Sequence, residues 1–118
     1  MMKIILIMMI LFLTGCSSIS KTGVIAYNDA LKLINNNDAI IIDVRTENEY
    51  NEEHIDDAIL MTLDTINEST AKNNISSKDS YVIVYCRSGN RSKQAQELLN
   101  SLGYTNVYNL GSISNWQK

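Results

Sequence analysis

The sequence predicts an α/β domain with a parallel sheet flanked by helices on both faces. Three observations carry this reading. Strand-like apolar runs alternate along the chain with helix-like stretches, the order of a sheet joined by crossovers. The strand runs Ala39-Ile40-Ile41-Ile42 and Tyr81-Val82-Ile83-Val84-Tyr85 are continuously apolar instead of alternating, as strands covered on both sides must be. The 118 residues are 45% hydrophobic and 19% charged, an ordinary composition for one globular domain.

The elements follow in order. From Tyr27 to Asn36 the residues Ala30, Leu31 and Ile34 share one helical stripe, with Asn28 as candidate N-cap. The run Asn35-Asn36-Asn37-Asp38 ends that helix in a turn. Ala39 to Ile42 is a strand. Thr46-x-x-Glu49 reads as a capping box opening a short helix. Ala58 to Met61 is a second short strand, and Asp64 to Lys72 a helix. Ser76 to Ser80 is a polar loop. Tyr81 to Tyr85 is the clearest strand. Ser92 to Leu102 is a helix with Ala95, Leu98, Leu99 and Leu102 inward, stopped by Gly103. Thr105 to Leu110 is a strand, and Ser112 to Lys118 starts a last helix.

The net charge of -3 argues against a nucleic-acid binder. A structural zinc site needs about four Cys and His ligands. The chain offers only Cys16, His54 and Cys86, widely scattered, so metal-centred chemistry is disfavoured.

The first segment, MMKIILIMMILFLTGC, reads as an export signal. Lys3 supplies the positive start, and Ile4 to Leu13 is an apolar run of about ten residues, the length of a signal core. A membrane-spanning helix needs roughly 20. Leu13-Thr14-Gly15-Cys16 resembles a bacterial lipobox, which implies cleavage before Cys16 and lipidation of its sulfur. An ordinary cleaved signal and a short uncleaved anchor are the alternatives. The organisation is then signal peptide and lipidated Cys16 at 1–16, tether at 17–23 and folded domain at 24–118. The location expected is the bacterial cell envelope, held to a membrane by the lipid. Ser17 after the acylated Cys resembles residues that permit sorting to an outer membrane. With Cys16 lipidated, Cys86 is the sole thiol of an exported chain, where cysteines usually pair. A leftover thiol there points to reactivity.

In parallel sheets ligands bind beyond the carboxyl ends of the strands. There, between the clearest strand and the clearest helix, lies Cys86-Arg87-Ser88-Gly89-Asn90-Arg91-Ser92. A loop wrapped around a sulfur aims backbone N–H groups at it, and the following helix adds the positive end of its dipole. Arg87 and Arg91 add two charges. Each effect favours thiolate, the nucleophilic form. Gly89 permits an unusual backbone angle, and Ser88, Asn90 and Ser92 can hydrogen-bond an anion in the bowl. The position argues against Cys86 as a core residue set within a strand.

CRSGNRS resembles the active-site loop of the rhodanese family, the single-domain sulfurtransferases. Asp43-Val44-Arg45 with Glu49-Tyr50, His54-Ile55 and Ala58-Ile59, and Asn109-Leu110-Gly111 with Trp116, are similar to that family's other motifs. The resemblance covers nearly all of residues 23–118. It implies a rhodanese-like fold with a five-stranded parallel sheet. It implies that Cys86 takes a sulfane sulfur from a small donor such as thiosulfate, becomes a persulfide, and passes the sulfur to a thiol or cyanide-like acceptor. Arg87 to Ser92 would bind the donor. No cofactor is implied. The chain departs from the family at Glu53 and Asp57, where Gly is usual, at Met61-Thr62, where Pro is frequent, and at Ser112, which replaces a common Gly.

Other residues have structural readings. Asp43 and Arg45 sit at a neighbouring strand end and are expected to pair in support of the loop. His54 is read as a hydrogen-bonded structural residue and Trp116 as packing. The seven acids from Asp43 to Asp57 are read as mostly a solvated face.

Two other classes compete. Cysteine phosphatases place five residues between Cys and Arg; here four separate Cys86 from Arg91, leaving less room for a phosphate on sulfur, and no general acid is evident. A non-turnover persulfide carrier or rhodanese-like binding module would use the same loop, but inactive copies typically lose the Cys.

Overall fold

The computed structural model describes residues 19–117. The segment at 1–16 with Cys16, and the first two tether residues, lie outside the described residues.

Helix α1 spans Tyr27–Asn37, β1 Ile40–Asp43, α2 Glu47–Glu52, β2 Ile59–Leu60, α3 Glu68–Asn74, β3 Tyr81–Cys86, α4 Asn90–Ser101 and β4 Asn106–Ser112. Among the described residues the sheet has four strands in the order β2-β1-β3-β4. All pairs are parallel, with Asp43 opposite Tyr85 and Cys86 opposite Ser112. Side chains alternate between the two sheet faces. Val82, Val84 and Cys86 of β3 face Ala71 of α3 and Ala95 and Leu99 of α4. Ile83 and Tyr85 face Ala30 and Leu33 of α1. Both faces are thus covered, which is why the strands read as unbroken apolar runs.

The fifth strand implied by the resemblance is reduced to a single bridge between Val24 and Asn109. Gly23 before it has φ +74° and α1 begins three residues after Val24, so the extended stretch is too short for a ladder. That bridge also sets the start of α1. Ile25 is buried, and its N–H donates to Asn109 O at 2.8 Å. The helix follows at once, with Ala26 at the N-cap and no side-chain cap. Asn28 therefore lies inside the helix instead of capping it.

Other boundaries also differ from expectation. The stretch Asp64 to Lys72 is divided into a 3₁₀ turn at Leu63–Thr65 and helix α3, because Asn67 and Thr70 form their own capping box. The expected last helix is a 3₁₀ turn at Ile113–Asn115, with Ser112 Oγ accepting the Ser114 N–H. Helix α4 starts two residues before Ser92, and Leu98 points outward, 37% exposed. Of the stretch read as tether, Ile19 packs against the α1 side of the core, and Lys21 O accepts from Gln96 Nε2 at 2.9 Å. The Thr46–Glu49 capping box is present. Asp57, where the family usually has Gly, has φ +70°, the backbone region that explains that preference.

The carboxyl end of the sheet is pinned by a buried ion pair. Asp43 Oδ1 accepts from Arg45 Nε at 2.9 Å and Oδ2 from Arg45 Nη2 at 2.7 Å, and both residues are buried. Tyr85, the register partner of Asp43, donates its O–H to Oδ2 at 2.7 Å and accepts the Ile55 N–H at 3.1 Å. Burial first, then the proton it shares with Asp43, pushes the Tyr85 phenol well up, so it stays a donor. Arg45 Nη2 also donates to Glu53 O at 2.7 Å. Removing one partner of such a pair leaves an uncompensated buried charge. Asp43→Asn is expected to lower the unfolding free energy by about 3–5 kcal/mol in a urea titration; a loss under about 1 kcal/mol would show that another group neutralises Arg45.

Candidate active site

Cys86 is the last residue of β3 and is fully buried. It belongs to the strand, not to the loop as its sequence position suggests, and its side chain lies on the α4 side of the sheet. Gly89 turns the chain into α4. It has φ +102° and occupies the N-cap position, a conformation that suits glycine and brings no capping side chain. The sulfur supplies the missing acceptor. Gly89 N–H donates to Sγ at 2.9 Å and Ser92 N–H at 3.3 Å. Ser92 is the third residue of α4, whose N–H a capping side chain ordinarily accepts. Cys86 thus caps the helix that follows it.

Ser92 is buried and completes the site. The Cys86 thiol donates to Ser92 Oγ at 3.4 Å, and Ser92 Oγ donates to Gly89 O at 3.1 Å. When the thiol loses its proton, rotation of the Ser92 hydroxyl turns that group into a donor to sulfur. Burial alone would push the Cys86 thiol up. The Ser92 hydroxyl and the N–H groups of Ser92, Gly89 and Ser88 outweigh burial, and the thiol lies below its ordinary value.

The two arginines are placed differently from expectation. Arg91 Nη1 donates to Glu49 Oε1 at 2.8 Å and its Nη2 to Oε2 at 3.1 Å. Arg87 Nε lies 3.5 Å from Glu49 Oε2, its side chain mostly exposed. Both cations turn toward α2, so the acidity of Cys86 comes chiefly from amide and hydroxyl donors. Ser88 and Asn90 are exposed at the rim. Asp43 and Arg45 lie beneath the rim in the buried network and touch the sheet side of Tyr85, not the sulfur.

Glu49 is the residue that sequence reasoning missed. Its capping-box role was legible; its position opposite Arg91, 42 residues away, was not. Hydrogen bonds from Arg91, then from Thr46, hold its carboxyl at about 2. It and the buried Asp43 are exceptions to the solvated acidic face, to which Glu47, Glu52, Glu53, Asp56 and Asp57 belong. The Tyr85 hydroxyl also escaped notice, because its partner is set by strand register. His54 is exposed, stacked on Tyr50 at 3.7 Å with Nδ1 2.8 Å from Tyr50 O. Trp116 is half-buried, edge-on to Tyr27 at 4.9 Å.

Residues 26–118 match the Rhodanese-like domain family. Thiosulfate sulfurtransferase PspE of Escherichia coli (strain K12) is 40% identical over 72 residues, 61% of this chain and 68% of the relative. Thiosulfate sulfurtransferase GlpE of Coxiella burnetii (strain RSA 331) is 32% identical over 94 residues, 79% of this chain and 85% of the relative. Among solved structures, a rhodanese with anions from E. coli superposes with a TM-score of 0.60 at 38% identity, covering 65% of this chain and 89% of that one. The human single-domain sulfurtransferase TSTD1 has a TM-score of 0.65 at 22% identity, covering 79% and 93%, a likeness of fold. A sheet with helices on both faces, a thiol held at the mouth of a helix and this extent of similarity agree: the chain belongs to the rhodanese-like family and is a rhodanese-type sulfurtransferase.

Proposed function

We propose that Cys86 carries sulfur as a persulfide, taking it from thiosulfate or a related donor and giving it to a thiol or cyanide-like acceptor. The observation that supports this most is the set of N–H donors on the buried sulfur at the start of α4. Those donors favour negative charge at that point, first on the thiolate and then on the persulfide. The thiolate attacks the outer sulfur of thiosulfate. A new S–S bond forms, the donor's S–S bond breaks, and sulfite leaves with the electron pair. The acceptor then attacks the terminal sulfur, and the Cys86 thiolate leaves as the persulfide bond breaks. The residues Arg87, Ser88, Gly89, Asn90, Arg91 and Ser92 bind the donor in this reading, with Asp43 and Arg45 supporting the loop.

Incubating the full chain with thiosulfate is expected to add the mass of one sulfur atom to Cys86, and cyanide to remove it with release of thiocyanate. Cys86→Ser abolishes both. Repeated thiocyanate release per chain marks a catalyst, and a single release marks a carrier. Absence of any adduct with thiosulfate, polysulfide or mercaptopyruvate in the intact-mass spectrum would refute the persulfide reading.

The lowered Cys86 thiol gives a pH dependence. The reactive form persists to lower pH than in an unperturbed thiol, whose value is about 8.5. Alkylation by iodoacetamide, followed against pH, is expected to show a midpoint below that of a free thiol. Ser92→Ala, which removes the hydroxyl donor, moves the midpoint up.

Export and anchoring through Cys16 belong to the same reading, with residues 24–118 as the folded domain. Lys3, the apolar run and Leu13-Thr14-Gly15-Cys16 support it. Cell fractionation is expected to find the chain with the membrane and Cys16→Ser to release it; equal membrane retention of both would argue for an uncleaved anchor.

A further inference from the structure

The cations of the sulfur-binding loop both end on one carboxylate. Arg91 meets Glu49 through two hydrogen bonds, and Arg87 lies 3.5 Å from the same group. The carboxylate is itself fixed. Glu49 Oε1 accepts the Thr46 N–H at 3.0 Å and the Thr46 hydroxyl at 3.1 Å, while the Glu49 N–H donates back to Thr46 Oγ1 at 3.2 Å. Its side chain is only 19% exposed, so water screens it incompletely. With Cys86 as thiolate, the two negative groups balance the two guanidiniums before any donor arrives. An incoming dianion meets a site where the charges of Arg87, Arg91, Glu49 and the thiolate cancel, so the two arginines bind it as hydrogen-bond donors beside the amides and hydroxyls, without a net positive charge to draw it in.

We propose that Glu49 is a specificity-determining residue: by occupying Arg87 and Arg91 it cancels positive charge at the bowl and disfavours doubly charged sulfur donors relative to singly charged ones. The inference rests on the Cys86 persulfide reading. It acts through the arginines, since Glu49 does not touch the sulfur.

Two donors of different charge separate this effect from the chemistry. Thiosulfate carries two negative charges and an aryl thiosulfonate one. Each gives its outer sulfur to the thiolate; sulfite leaves from the first and an aryl sulfinate from the second, in each case with the electron pair of the broken S–S bond. The test is kcat/KM for thiosulfate and benzenethiosulfonate on the full chain, wild type against Glu49→Gln. Glutamine at this helix position still completes a capping box, so α2 keeps its start while the negative charge, and with it one of the two acceptors for Arg91, is removed. The thiosulfate-to-thiosulfonate ratio is expected to rise about threefold to tenfold, the size of one unit interaction across a partly solvated rim, mostly through a lower KM for thiosulfate. Glu49→Asp restores the ratio toward wild type. An unchanged ratio, or equal losses with both donors, would overturn the inference while leaving the persulfide reading intact. No adduct from either donor in the wild type would remove both.

Discussion

The architecture depends on a sulfur atom standing where a helix cap should be. The N-terminus of α4 has N–H groups without intrahelical partners, and Gly89 brings no side chain to receive them. The last residue of the central strand does so from the other side of a four-residue turn. A capping side chain is worth about 0.5–2 kcal/mol to a helix, and an anion at that place interacts more strongly than a neutral acceptor. The fold is therefore better satisfied by the charged sulfur than by the neutral thiol. Burial, which opposes the charge, is outweighed by the donors that burial has gathered. The same contacts that settle α4 on the sheet make the atom nucleophilic.

Two carboxylates hold the surroundings, in different ways. Asp43 is sealed beneath the rim, where Arg45 and the Tyr85 hydroxyl leave it no freedom. It ties β1 to β3 at the level of the turn carrying Cys86, and through Tyr85 it reaches the Ile55 backbone. Glu49 stands at the rim, and one side chain both closes the first turn of α2 and binds the cations of another loop. Helix stability and site electrostatics are joined in one residue.

Much of this was legible in the residues. The unbroken apolar runs of β1 and β3 gave the parallel sheet, because alternation is absent only when both faces are covered. Cys86 and its loop stood out through the conjunction of strand, Gly89 and helix. What escaped reading was long-range. The Glu49–Arg91 pair spans 42 residues, and the Tyr85–Asp43 contact follows from strand register. Local propensity was also overruled where tertiary contacts were at stake: Asn28 is a good cap residue, but Ile25 on the sheet edge starts the helix before it. Leu98 fits the inward stripe by spacing, yet it is exposed while Ala95 and Leu99 of the same helix are buried against the sheet.

The pairing of β3 with β4 slips by one residue between Val84 and Tyr85, so that Asn109 pairs with Val84 and Gly111 with Tyr85. Asn109 Oδ1 accepts the Gly111 N–H at 2.8 Å across the irregularity. Because side chains on a strand alternate, one extra residue resets the parity of everything after it. Ile113 and Trp116 reach the α1 side of the core from beyond that reset. The insertion at Leu110 is thus a phase marker in the gene as much as a feature of the sheet. A single codon gained or lost at this point would transpose the face presented by the whole carboxyl-terminal segment.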